Sequence, residues 1–263
     1  MCLILFAYHV HPDYRLILAA NRDEFYDRPS APADFWSRHP QVLAGMDLKE
    51  KGTWLGVTKE GKFAAITNYR DPASWKADAP SRGKLVSRYL TGSAGPEKYL
   101  RRMVGRADAY NGFNLLLGDG ADLFVYSNRG DVHRLSSGIY GLSNELLDTP
   151  WPKVRRGKRL LEKALAKRGK ELEEALFDLL SDRAVPPDGS LPDTGIGLEW
   201  ERLLAPMFIK SPVYGTRSST LLLIGKNKRI KLIEKTYNGE EEPWLVSRFA
   251  FPAEDRTGKE VAS

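Results

Sequence analysis

The chain has 263 residues, 42% apolar and 28% charged, with a formal net charge of +6. That balance describes an ordinary globular chain with a full-sized core. A single cysteine, Cys2, excludes an intrachain disulfide, and no segment approaches the roughly 18 apolar residues that span a bilayer.

The first apolar run, Leu3–Tyr8, has no basic leader and stops at His9, so it reads as a strand and not as a secretory signal. The expected location is therefore the cytoplasm. Tyr14–Ala20 follows across His9-Val10-His11-Pro12-Asp13, which makes a hairpin. Thr53–Thr58 and Lys62–Thr67 flank Lys59-Glu60-Gly61, a second hairpin whose glycine is available for positive φ. Amphipathic helices are predicted over Gly83–Thr91 and Pro96–Met103. A third hairpin pairs Gly112–Leu117 with Leu123–Ser127 around Gly118-Asp119-Gly120. Pro152–Arg168 reads as a helix with proline in its first turn and Gly169 at its end; Glu171–Ser181 follows as another. Pro186–Pro192 is a loop, and Thr220–Gly225 with Arg229–Tyr237 forms a fourth hairpin.

Leu115-Leu116-Leu117 and Leu221-Leu222-Leu223-Ile224 are apolar at successive positions. Such strands are buried on both faces, by another sheet on one side and helices on the other. The expected fold is α+β, a four-layer αββα sandwich of two antiparallel sheets. One domain over residues 1–252 is expected, with a loose tail over 253–263.

The chemistry starts at Cys2. Removal of Met1 would leave a residue carrying both a thiol and an α-amine of reference pKa about 7.7–8.0, able to act as nucleophile and base together. The plainer alternative is a small buried hydrophobe opening an apolar run. The antiparallel hairpin returns Asn21-Arg22-Asp23-Glu24 toward that end of the chain. Asp23 would hold the amine, Arg22 would favour thiolate and Asn21 would donate a hydrogen bond. A capping and salt-bridge cluster at a turn would use the same residue types. Asn68, Asn144 and Arg217 stand at later strand ends, where an asparagine amide suits an oxyanion or ordinary turn chemistry. The basic stretch 153–168 fits phosphates, acidic lipid headgroups or simply water. No zinc spacing or RNA-binding signature accompanies it, so nucleic acid is not an expected partner.

Leu16-Ile17-Leu18-Ala19-Ala20-Asn21-Arg22-Asp23-Glu24-Phe25-Tyr26, with Arg28-Pro29, after Met1-Cys2 resembles the NRDE-motif family. The resemblance runs on through Gly52-Thr53-Trp54-Leu55-Gly56, Thr67-Asn68-Tyr69, Tyr110–Leu115, Gly141-Leu142-Ser143-Asn144 and Tyr214-Gly215-Thr216-Arg217, reaching about Phe249. The eukaryotic member of that family is the Transport and Golgi organisation 2 protein. The family is similar to the amino-terminal-nucleophile hydrolases, which implies the same αββα sandwich. By resemblance to their cysteine members, the penicillin V acylases and bile-salt hydrolases, Cys2, Asp23, Asn68, Asn144 and Arg217 take the catalytic places. Those acylases carry arginine three residues before the aspartate, where this chain has Ala20.

Two functions follow. The family link implies a protein that handles a small-molecule ligand, haem or acyl-coenzyme A, in haem mobilisation and lipid homeostasis. Asn21, Arg22, Asp23, Glu24, His9, His11, Trp54 and Tyr69 would meet that ligand, with Trp36 and Trp75 as further aromatic walls. On this reading no resident cofactor or metal is required, and haem is cargo. The basic 153–168 helix would supply a peripheral membrane contact. The local chemistry implies instead an amidase or thioesterase, with Cys2 as nucleophile and its α-amine as base.

Overall fold

Alternation along the strands decides how the layers stack in the computed structural model, which describes residues 3–255. One sheet has the order β10 (Gly138–Leu142), β1 (Leu3–Tyr8), β2 (Tyr14–Phe25), β11 (Tyr214–Gly225), β12 (Arg229–Thr236) and β13 (Leu245–Pro252). The other runs β3 (Ser30–Trp36), β4 (His39–Asp47), β5 (Leu55–Thr58), β6 (Phe63–Asn68), β7 (Phe113–Gly118), β8 (Leu123–Ser127) and β9 (Val132–Arg134). Every pairing is antiparallel.

Even-numbered residues of β1 and β2, such as Ile4, Phe6 and Leu18, pack against Leu43, Val57, Ala65 and Leu116 of the second sheet. Their odd-numbered neighbours Leu5, Ile17 and Ala19 pack under Val154 and Leu161 of α3 (Pro152–Ala164) and Leu172 and Leu176 of α4 (Gly169–Leu180). On the far side, Val42, Ala64 and Leu115 meet Leu85 and Val86 of α1 (Gly83–Thr91) and Leu100 of α2 (Pro96–Val104). Three stacked cores make four layers, the αββα sandwich that successive apolar strand positions require. A short α5 (Leu198–Leu204) lies after the proline-containing loop.

The second strand runs to Phe25, five residues beyond the predicted Ala20, because β11 pairs with it from Gly225↔Tyr14 to Tyr214↔Phe25. The third helix stops at Ala164 instead of Arg168. Gly169, at φ 54, opens α4 rather than closing α3. The β3–β4 hairpin, β10 and β13 are additions: β3 and β13 alternate partly exposed positions, and Asp34 in one and Ser247-Arg248 in the other break their apolar pattern. Gly61 takes φ 82 in the second hairpin, as its turn demands. Ala253 and Glu254 donate backbone hydrogen bonds to Lys228 and Lys59; Cys2 and residues 256–263 lie outside the described residues. Among the described residues no helix is long and apolar enough to cross a membrane.

Candidate functional site

Period-two alternation splits the Asn21–Glu24 tetrad between the two sides of its sheet. Asn21 and Asp23 share parity with Ile17 and Ala19 and face the helices. Arg22 and Glu24 share parity with Leu18 and Ala20 and face the second sheet. Asn21, fully buried, donates through Nδ2 to the carbonyls of Leu180 (2.8 Å) and Met207 (2.7 Å), and its Oδ1 accepts from Ser219 Oγ (2.7 Å). This amide ties the end of α4 and the approach to β11 onto the sheet. Asp23 Oδ1 accepts from Thr216 Oγ1 at 2.7 Å.

Arg22 is only 4% exposed, and its guanidinium carbon lies 4.3 Å from the Trp54 ring centroid. Its Nη1 is buried without a hydrogen-bond partner, and it makes no ion pair among the described residues. Burial pulls its pKa below the ordinary guanidinium value, although Glu24 opposes the change. Arg22 and Trp54 line a cleft of about 250 Å³, shared with Asn68, Trp75, Arg82 and Asn111. Glu24, Asp47 and Glu50 line it too, but each faces another cation. Asp47 accepts from Arg28 at 2.6 and 2.8 Å, Glu24 lies 3.7 Å from Arg28, and Glu50 lies 3.9 Å from Lys84. Burial raises the Asp47 pKa, yet the Arg28 bonds outweigh it and hold the carboxyl below its usual range.

The start of α1 forms another wall. A Cβ on Gly52 would meet the Gly83 backbone at 2.6 Å, so glycine at that position is what lets the helix start sit against the loop carrying Thr53 and Trp54. Thr53 N–H closes the contact on the Gly83 carbonyl at 3.2 Å.

Asn68 and Asn144 come together: Asn144 Nδ2 donates to the Asn68 carbonyl at 2.9 Å, and its Oδ1 accepts from Arg70 at 3.4 Å. Next to them the Tyr69 hydroxyl donates to Glu145, and burial with that carboxylate pushes its pKa up to about 12. Arg217 is the extra residue of a bulge in β11, since Thr216 pairs with Asp23 and Ser218 with Arg22. The bulge frees its side chain to hold the turn after β2, donating to the carbonyls of Phe25, Tyr26 and Arg28 at 2.8–3.1 Å. Burial lowers its pKa.

His9 and His11 sit at the other end of the β1–β2 hairpin. The register runs from Leu3↔Asn21 to Tyr8↔Leu16, about 16 Å along the strand at roughly 3.3 Å per residue. His11 is buried, with Nδ1 accepting from Asp13 N–H at 3.1 Å, so it belongs to the turn and not to the cleft. Trp36 donates to the Ala44 carbonyl and packs with the α1–α2 core. Among the described residues no group of three His, Cys, Asp or Glu side chains is placed to hold a metal ion. Arg82, Asn111 and Arg28 belong to the cleft, although none is named from sequence as a site residue and Asn111 and Arg28 stand only within stretches that carry the family resemblance. They come from separate loops, and only the tertiary fold brings them together.

The family model described as Transport and Golgi organisation 2 matches residues 1–239. A bovine relative, "Transport and Golgi organization protein 2 homolog", is 39% identical over 92% of this chain and 95% of its own. The human protein of the same name is 39% identical over 95% of this chain and 99% of its own. Among solved structures, a Caenorhabditis elegans N-acylethanolamine-hydrolyzing acid amidase ortholog aligns at TM-score 0.48 with 10% identity, over 84% of this chain and 92% of that one.

Proposed function

The chain belongs to the Transport and Golgi organisation 2 family, and from that premise we propose that it handles a small molecule whose anionic end enters the Arg22–Trp54 cleft. The observation that carries this reading is Arg22 itself. A buried guanidinium with no ion-pair partner among the described residues costs several kcal/mol, and a buried N–H left unpaired adds to that. An incoming carboxylate or phosphate removes both costs, and the guanidinium already sits over the Trp54 ring. At about 250 Å³ the cleft takes the acidic end of a ligand and leaves the rest outside. Haem, through its propionates, and acyl-coenzyme A, through its phosphates, both present such an end. Handling of either ligand in the cytoplasm, with the basic face of α3 meeting acidic headgroups, fits the same reading.

Arg22→Met separates binding from folding. Losing a charge-assisted contact weakens binding by about 10- to 100-fold. The urea midpoint should not fall, because an unpaired buried charge has been replaced by an apolar chain of similar length. Titration of both proteins with haem and with a long-chain acyl-coenzyme A reads the first effect. Unchanged affinity for every ligand that the parent binds would sink the assignment.

A second reading rests on the β1–β2 register, which sets Leu3, the next residue after Cys2 in sequence, opposite Asn21 of the tetrad. Here the Cys2 thiol, its proton taken by the α-amine, attacks a thioester or amide carbonyl. The leaving thiol or amine departs with a proton, and water then hydrolyses the acyl-enzyme. Asp23, Asn68, Asn144 and Arg217 would support that chemistry. Intact mass after incubation with acyl-coenzyme A tests it: an acyl adduct confined to Cys2 supports the hydrolase, and retained Met1 removes its base.

A further inference from the structure

A second cavity lies away from the Arg22 cleft, where the edges of the two sheets face each other. It measures about 510 Å³, within the range of small-molecule pockets and twice the size of the cleft. Val125 of β8, Leu142 of β10, Leu135, Leu146 and Leu147 give it an aliphatic wall. Tyr140, also in the wall, is stacked on Phe6 at 5.2 Å and held in place there.

Polar residues share the lining, Ser127, His133 and Ser136 among them, and the most deeply buried is Asn114. Asn114 is 1% exposed and faces the inter-sheet layer from β7, next to Leu116 in alternation. Its Nδ2 is surrounded by acceptors: Thr67 Oγ1 at 3.0 Å, the Glu145 carbonyl at 2.9 Å and the Ser143 carbonyl at 3.4 Å. The two carbonyls fix which amide atom is nitrogen, since a flipped amide would set oxygen against both of them. Oδ1 is therefore a buried acceptor with no donor. A buried acceptor left this way is destabilising, and a donor brought by a ligand would satisfy it.

The charged groups around the cavity do not call for an ionic ligand. Arg134 donates through Nε to Asp122 at 2.9 Å. Asp148 accepts from Gly141 N–H at 2.8 Å and lies 2.8 Å from Lys158. Asp131 and His133 also line the cavity, from exposed positions; a carboxylate ligand, which only accepts, would leave the Asn114 acceptor unpaired. The wall asks for hydrocarbon, and Asn114 asks for an N–H or O–H.

We infer that this inter-sheet cavity is a second small-molecule site, taking a neutral aliphatic amide or alcohol whose donor bonds Asn114 Oδ1. It is independent of the anion reading at Arg22.

The test uses the full chain with methyl-labelled Leu and Val, titrated by NMR with octanamide, octanoate and 2-nonanone. Octanamide should give saturable shifts at Val125, Leu142 and Leu147. It should bind about 3- to 10-fold tighter than 2-nonanone, which matches it in size but only accepts. Octanoate should be weaker than octanamide. Leu147→Trp, which fills the cavity from a half-buried position, should abolish these shifts while leaving the rest of the spectrum in place. The ligand ranking stands as a test even if that variant folds poorly. The inference falls if 2-nonanone or octanoate matches octanamide, if shifts appear only around Trp54, or if no probe saturates.

Discussion

Asn21 and Arg22 are neighbours in sequence and opposites in role. Asn21 spends its whole amide on protein: two carbonyls from the helix side and one hydroxyl from β11. Asn21→Ala would leave those three buried groups unpaired and should cost about 2–4 kcal/mol, the sum of one or two uncompensated desolvation penalties. Urea unfolding measures it, and a cost below 1 kcal/mol would mean that water replaces the amide. Arg22 shows the reverse balance, a buried charge without an ion-pair partner among the described residues. The tetrad was legible in the sequence as a polar run after an apolar strand. Its division into a structural face and a cleft face follows from period two once the strand is known to continue through it. The length of that strand was not legible, because it depends on β11, nearly 200 residues away.

At the scale of elements, the sandwich rests on close approaches as much as on apolar area. On α3, a Cβ at Gly157 would meet the Leu5 side chain at 2.6 and 2.9 Å, and Leu5 is fully buried under that helix. Two effects compete in Gly157→Ala. Helix propensity favours alanine by about 1 kcal/mol, whereas overpacking a tight core costs about 1–3 kcal/mol. Overpacking should win, so the variant should unfold at lower urea despite its better helix former; a raised midpoint would show that α3 can slide outward. The four strongest hairpins were readable from apolar runs and turn residues. The β3–β4 hairpin and β13 were not, since their exposed positions dilute the pattern. The Arg217 bulge was also hidden, because a one-residue register shift leaves no trace in composition. The same limit applies to Arg82 and Asn111, which reach the cleft only through the way α1 and the loop before β7 dock.

Across the whole molecule, the two sheets are bridged by a buried carboxylate. Glu234 of β12 accepts from the Ala33 N–H of β3 at 2.7 Å and from Thr220 at 3.0 Å. Burial drives its pKa above the ordinary carboxylate range; the two hydrogen bonds and Arg22 only partly offset this. The sign follows from proton counting. Between the unfolded and folded pKa the native state holds a proton that the unfolded chain has lost, so Glu234 costs more stability as pH rises through that window. Glu234→Gln removes the titration. Its stability relative to the parent should therefore improve as pH increases from about 4, read as the difference in urea midpoints across pH 4 to 8. A constant difference would mean that Glu234 titrates in the fold as it does in the unfolded chain. The bridge joins the layers beside the Arg22 cleft, so one change in packing would reach both.

The central claim is that the cleft against α1 holds the anionic end of the ligand. The most direct measurement is a crystal structure of the full chain with a long-chain acyl-coenzyme A bound. A phosphate or other acidic group within hydrogen-bond distance of Arg22, over the face of Trp54, is the result expected. Ligand density confined to the inter-sheet cavity or to the α3 surface, with Arg22 Nη1 still unpaired, would contradict it.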